Sequence, residues 1–154
     1  MNTPSSNHVK YDDLEWHVGG DYPQDLGPEG GRTHMGMYLA WLVSRRLLSD
    51  ELVAQYPNEV RQCRDHMIKG SQLLQICCQD VLVRDDLSPQ GQAFSDFYYD
   101  QFYLDDYVET LDNADLPSIY HVPDDWESYE ALYPVLEERY AAWLHAQGQD
   151  TLDE

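Results

Sequence analysis

Apolar residues recur at helical spacing along most of the chain beyond Thr33. The run from Thr33 to Leu47 is apolar on nearly all sides, which predicts a central buried helix. Thr33 is expected to cap its start. Arg45 and Arg46 suit its carboxyl end, because cations stabilise that end of the helix dipole.

Shorter elements follow this central helix. Ser49 is expected to cap a helix that Pro57 ends, and Asn58 to cap the next one. The run from Val81 to Val83 is the only strand-like segment. Because one strand cannot make a sheet, at most a minor hairpin is expected there.

Two longer helices are predicted in the second half. Ser88 followed by Pro89 is typical of a helix start, and the first of these helices should continue to Leu111. Asp124 and Glu127 resemble a capping box for the second, which Pro134 should kink or divide. The predicted buried stripes are Phe94, Phe97, Leu104, Val108 and Leu111 in the first helix, and Tyr129, Leu132, Tyr133, Leu136, Tyr140, Trp143 and Leu144 in the second.

Together these patterns predict an all-α fold, a compact single-domain helical bundle of about five to seven helices. The segment from Tyr11 to Gly31 is rich in Gly and Pro and is expected to be a packed loop anchored by Trp16 and Tyr22. The expected boundaries are a flexible tail at 1–10, one helical domain at 11–147 and a frayed terminus at 148–154.

Charge changes the picture most. The chain of 154 residues has 29 Asp and Glu against nine Lys and Arg, a formal net charge of −20. Nucleic acid and anionic membranes would be repelled, whereas a cationic protein would be attracted and guided to the surface. No stretch approaches the ~18 apolar residues of a membrane span, and no signal peptide is evident, so a cytoplasmic location is expected. The three Cys match no disulfide or metal pattern and are expected to be buried thiols.

The negative charge is regional, since no Lys or Arg lies between Arg84 and Arg139. At 100° per residue, a Tyr/Asp face lies opposite the apolar stripe of the 89–111 helix. Such a face suits the recognition of Lys and Arg on a partner, and the alternative is that the acids only keep the surface soluble while the tyrosines pack against neighbouring helices. The predicted partner-binding residues are Asp96, Tyr99, Asp100, Tyr103, Asp106 and Tyr107.

The glycine-rich front contains His17, Asp21 and His34, which could ligate a metal or form an acid-base pair. A lone His in such a loop is more often a structural hydrogen-bonding residue. No phosphate-binding loop, calcium loop or nucleophile motif is recognisable. We therefore expect no enzyme activity, no catalytic residues, no cofactor and no metal.

Two stretches carry a resemblance to a known family: residues 16–41, which end in T-H-M-G-M-Y-L-A-W, and F-Y-Y-D-Q-F-Y-L-D-D-Y at 97–107. They resemble a family of small bacterial proteins encoded among polymorphic-toxin immunity genes. The resemblance implies a cytoplasmic immunity protein that binds and neutralises a cognate toxin domain of an interbacterial effector, for example one delivered by type VI secretion. The charge indicates a basic toxin, such as a nuclease. The resemblance supplies no catalytic residues.

Two other functions stay open. The chain could be an effector adaptor or a DNA mimic that binds DNA-binding proteins. It could also be a metal-dependent hydrolase that uses His17, Asp21 and His34.

Overall fold

The computed structural model describes residues 9–19 and 22–148. The elements in chain order are β1 (Lys10–Asp13), α1 (Leu14–Val18), α2 (Glu29–Ser44), α3 (Asp50–Gln55), α4 (Pro57–Arg64), α5 (Gly70–Cys78), β2 (Val81–Val83), α6 (Pro89–Tyr98), a π-helical turn (Tyr99–Tyr103), α7 (Leu104–Leu111) and α8 (Trp126–Ala146). Counting α6, the π turn and α7 as one continuous helix, the described residues form seven helices and one two-stranded sheet. The predicted mainly helical class is confirmed. Most of the predicted tail and frayed terminus lies outside the described residues.

Several helix starts follow from single residues. The Ser49 side chain accepts from the Leu52 N–H and the Ser88 side chain from the Gly91 N–H, so both predicted caps are confirmed. Thr33 is not a cap, because α2 begins four residues earlier at Glu29 and the Thr33 hydroxyl donates to the Glu29 carbonyl.

Two other start predictions are wrong, by two residues in α4 and by one in α8. The helix α4 begins at Pro57, so Asn58 is not its cap. In α8 the capping side chain is Asp125 and not Asp124, since Asp125 accepts from the Ser128 N–H. Pro134 lies inside α8 without dividing it.

The helix α2 is the centre of the core, and nearly its whole length is buried. It crosses α5 where Gly36 faces Gly70. A Cβ on Gly70 would lie 1.8 Å from the Gly36 carbonyl oxygen, and one on Gly36 would lie 2.4 Å from the Ser71 nitrogen. Only glycine at both positions allows this close backbone contact.

The strand predicted at Val81–Val83 forms, and its antiparallel partner β1 lies in the segment that was expected to be loop. The pairing is irregular between Lys10 and Asp12. An irregularity of this kind breaks the alternation of a strand, and Tyr11, Asp12 and Asp13 are all buried in succession. The loop prediction is therefore wrong for 11–18, which lie in β1 and α1, and for 29–31, where α2 begins. The anchoring role of Trp16 is also wrong, because Trp16 is 59% exposed.

The orientation predicted for the 89–111 helix is wrong. Phe97 is 43% exposed and Leu104 49% exposed, although both were assigned to the buried stripe. The π turn adds a residue to one helical turn, which rotates the side chains after it around the axis by about 100° and accounts for the exposure of Leu104. It does not account for Phe97, which precedes the turn. Four of the six predicted partner-binding residues are buried, namely Tyr99, Tyr103, Asp106 and Tyr107.

Hydrogen bonds offset the cost of burying several of these groups, since the Tyr99 hydroxyl donates to Asp12 and the Tyr103 hydroxyl to the His34 carbonyl. The Tyr98 hydroxyl donates to Asp106 Oδ2 at 2.6 Å, and Arg139 donates to both oxygens of the same carboxylate. Of the predicted surface, Asp96 and Asp100 alone are exposed. Asp96 forms an ion pair with Arg84 at 3.0 Å.

The three cysteines are buried and free, as expected. Burial raises the pKa of the Cys63 thiol to about 12, so this thiol is not a nucleophile near neutral pH.

Among the described residues, no helix combines the length and the apolar character needed to cross a membrane.

Candidate metal centre

Side chains from three separate elements meet beside the β1 strand. Asp12 comes from β1, His17 from α1 and His34 from α2. One ligand-type atom of each, a carboxylate oxygen or an imidazole nitrogen, lies within 4.8 Å of the other two. We call these three residues the Asp12 cluster.

Local structure places His17 against α2. The Asp13 side chain caps α1 by accepting from the Glu15 N–H, and Leu14 anchors this short helix in the interior. The contact with α2 is made at Gly31. A Cβ on Gly31 would lie 3.0 Å from Leu14 Cδ1 and 3.3 Å from His17 Cβ, so the absence of a side chain lets α1 pack close to α2.

The Asp12 carboxylate is the centre of the cluster. Its Oδ1 lies 2.5 Å from His17 Nε2, and its Oδ2 lies 3.0 Å from His34 Nε2. The Tyr99 hydroxyl donates to Oδ2 at 2.6 Å, and the Asp13 N–H donates to Oδ1 at 2.9 Å. Both oxygens therefore have two partners each, which offsets the cost of burying the charge.

A second layer of hydrogen bonds orients the two imidazoles. His17 Nδ1 lies 2.9 Å from the Tyr120 hydroxyl. The Tyr103 hydroxyl donates to the backbone carbonyl of His34 at 2.6 Å. The two imidazole rings meet edge to face with centroids 4.4 Å apart. Such outer partners hold ligand rings in place and set their tautomers.

The electrostatics of the cluster favour an ionised carboxylate beside neutral imidazole. Burial alone would raise the pKa of Asp12, but hydrogen bonds from His17, His34 and Tyr99 outweigh it and hold the pKa well below its usual range. Burial lowers the pKa of His34, although Asp12 opposes this shift. An ionised carboxylate and a neutral imidazole are the forms that ligate metals.

The cluster forms one wall of a cleft of about 210 Å³. The exposed side chains of Trp16 and Leu104 lie at this cleft, together with the exposed Asp100. Of the predicted partner face, Tyr99 and Tyr103 are thus buried at the cleft, and Asp100 is exposed at its edge.

The sequence singled out two of the three cluster residues. His17 and His34 are brought together, whereas Asp21 lies outside the described residues. Asp12 was missed, since it stands in a segment taken for a loop and next to a second acid. The available sequence signal was its position five residues before His17.

Residues 10–122 match the family model described as Domain of unknown function (DUF7832). The chain belongs to this family. The DUF7832 region begins at β1 and contains the whole Asp12 cluster with Tyr99 and Tyr120, while α8 lies beyond it. The description assigns DUF7832 no activity or partner, and the link to toxin immunity stays a prediction. No curated protein and no solved structure matches the chain.

Proposed function

We propose that this protein is a metal-dependent hydrolase that holds a Zn²⁺-class ion at the Asp12 cluster. One observation carries the proposal: the ligand atoms of two imidazoles and one carboxylate lie within 4.8 Å of one another at the wall of a cleft. Two His with one carboxylate is a ligand set of catalytic zinc sites, in which a fourth position stays free for water or substrate.

The spacing of the ligand atoms fits an ion of this size. Bonds of about 2.0–2.2 Å to zinc place tetrahedral ligand atoms roughly 3.4 Å apart. The distances from Asp12 to His17 and His34 are 2.5 and 3.0 Å, so small rotations of the side chains admit the ion. The Nε2 atoms of His17 and His34 face Asp12, so each neutral imidazole binds the ion through Nε2 in the tautomer that carries its proton on Nδ1.

The cleft restricts the substrate. A zinc ion lowers the pKa of its bound water to about 7, which supplies a nucleophile at neutral pH. Asp100 at the cleft and the net charge of −20 oppose an anionic substrate. Trp16 and Leu104 offer apolar contacts. The substrate class that fits is a small neutral or cationic molecule with an apolar group.

Metal analysis of the purified, EDTA-stripped and then zinc-reconstituted protein tests the proposal. We expect one ion per chain in the wild type, loss of that ion in His17→Gln, and retention in His145→Gln, which changes an exposed histidine on α8. Circular dichroism checks that both variants fold. Absence of a stoichiometric ion after exposure to Zn²⁺, Mn²⁺ and Fe²⁺ in turn would remove the metal and the hydrolase together.

A second candidate function is the binding of a basic protein, including a toxin domain. Its support is the acidic outer surface near α7, where Asp100, Asp105 and Glu109 are all exposed. Long-range attraction of this kind accelerates association and weakens with salt. The test measures the association rate with a basic toxin domain at two salt concentrations, for the wild type and for the triple change to Asn, Asn and Gln. If the triple variant associates with the toxin domain at the same rate as the wild type, this surface is excluded as the binding surface.

A further inference from the structure

A second cavity lies between the carboxyl end of α2 and the helices α3 and α4, and it shares no residue with the cleft of the Asp12 cluster. Its volume is about 360 Å³, within the range of small-molecule pockets. We call it the arginine cavity. Its lining residues are Val43, Arg46, Leu48, Asp50, Val53, Ala54, Val60 and Arg64.

The cations of the arginine cavity are unusual for this chain, in which 29 acids face nine Lys and Arg. Five of the nine form ion pairs with Asp or Glu, namely Lys10, Arg32, Arg45, Arg84 and Arg139. Among the described residues, neither Arg46 nor Arg64 has a carboxylate within ion-pair distance. Both line the same apolar cavity, and no described residue neutralises them there by direct contact.

Arg64 adds an independent observation. Its Nε is shielded from solvent and has no hydrogen-bond partner among the described residues, the one such buried side-chain atom found there. A buried donor without an acceptor costs free energy that a bound acceptor recovers. This atom has no surface open to the cavity, so a ligand bound there supplies the acceptor only if the Arg64 side chain rotates.

Arg46 holds a backbone conformation that L-residues rarely adopt, with φ of 59°. It comes directly after the cap of α2, and its N–H donates to the Val43 carbonyl at 3.1 Å. Together with the bond from the Leu47 N–H to the Leu42 carbonyl, this is the common left-handed ending of a helix, and His66 and Gln79 end α4 and α5 with similar φ. The conformation fixes where the Arg46 side chain leaves α2.

We propose that the arginine cavity binds a small monocarboxylate with an apolar body. The carboxylate lies on the guanidinium groups of Arg46 and Arg64, which match its planar geometry, and the apolar body packs against Val43, Val53 and Val60. Asp50 opposes a second negative charge on the ligand. Two ligand sources share this chemistry: a short fatty acid, and an apolar α-amino acid whose ammonium group meets Asp50.

Calorimetric titration of the full chain distinguishes these sources. Hexanoate and leucine are the probes, and hexylamine is the control with the same chain length and no carboxylate. We expect one molecule of a carboxylate per chain and no binding of hexylamine. Tighter binding of leucine identifies the amino-acid source, and tighter binding of hexanoate the fatty-acid source. Absence of binding by both at millimolar concentration overturns the proposal.

Variants locate the site. Arg64→Met retains the aliphatic part of the side chain and should weaken carboxylate binding at least tenfold. Arg61→Met is the matched control, since Arg61 is exposed on the same helix, does not line the cavity and donates from its guanidinium to Asn58. An equal loss in both variants means general attraction of anions and overturns the proposal. Methyl chemical shifts of Val53 and Val60 in the wild type give a readout that needs no variant, and unmoved shifts at saturating ligand also overturn it.

Discussion

The Asp12 cluster and the arginine cavity differ in how fully their buried polar atoms are hydrogen-bonded. In the cluster, both carboxylate oxygens have two partners each, from His17, His34, Tyr99 and the Asp13 N–H. In the cavity, Arg64 Nε has no partner among the described residues. A satisfied network supports the fold without a ligand, whereas an orphaned donor leaves free energy for a ligand to recover.

The largest effect should come from Asp12→Ala. This change removes the common acceptor of His17, His34 and Tyr99, and leaving three buried donors without a partner should lower the free energy of unfolding by about 3 kcal/mol or more. Urea denaturation measures it. Asp100→Ala, at an exposed position on the same cleft, should stay within about 0.5 kcal/mol. If Asp12→Ala and Asp100→Ala changed the free energy of unfolding equally, the hydrogen bonds to Asp12 would contribute no stability.

Zinc should stabilise the wild type next most strongly. An ion that binds only the folded chain adds about 2.7 kcal/mol at a free concentration one hundred times its dissociation constant. Thermal denaturation with and without zinc measures this as a rise in Tm, which EDTA should reverse. His17→Gln should show no rise. A rise of the same size in that variant would place the ion elsewhere.

Tyr99→Phe should have a smaller effect. It removes the 2.6 Å hydrogen bond to Asp12 and keeps the ring that packs on Tyr103 and Tyr38. The expected loss is about 1–2 kcal/mol, because the acceptor is a carboxylate that retains its other partners. Denaturation of Tyr99→Phe beside Tyr133→Phe, at an exposed position, separates the hydroxyl from general effects. Equal free energies of unfolding for the two variants would mean that the hydrogen bond from Tyr99 to Asp12 contributes no stability.

The smallest effect should come from Arg64→Met. Since Arg64 Nε has no partner to lose, the free energy of unfolding should stay within about 0.5 kcal/mol or rise. Urea denaturation without added ligand measures it. A loss comparable to that of Asp12→Ala would show that Arg64 is part of the folded network, and the contrast between the two regions would disappear.

Local signals predicted a large part of the fold. Ser49 and Ser88 cap helices as expected, because an N-cap depends only on a side chain and the backbone two or three residues on. The buried stripe of α8 was also predicted, with Tyr133 as its exposed exception, because its helical period runs through Pro134 without a change of phase. These features need no knowledge of distant residues.

The candidate site was less predictable. His17 and His34 stood out as chemistry-bearing residues, yet Asp12 joins them only because β1 pairs with β2, which is almost 70 residues away in the chain. From the sequence, the tyrosines of the 89–111 helix were predicted to lie on an exposed polar surface. The burial of Tyr99 and Tyr103 is supported by acceptors on other elements, namely Asp12 and the His34 carbonyl.

By itself, the sequence determined that the chain is mainly helical, where most helices lie and that its charge is strongly negative, because helical period, capping and composition are local or additive properties. The tertiary structure alone decided which side of the 89–111 helix faces inward, since packing orients the residues up to Tyr99 and one π turn changes the phase of the residues after it. It also decided that Asp12, His17 and His34 meet, because their distances depend on how β1, α1 and α2 pack together.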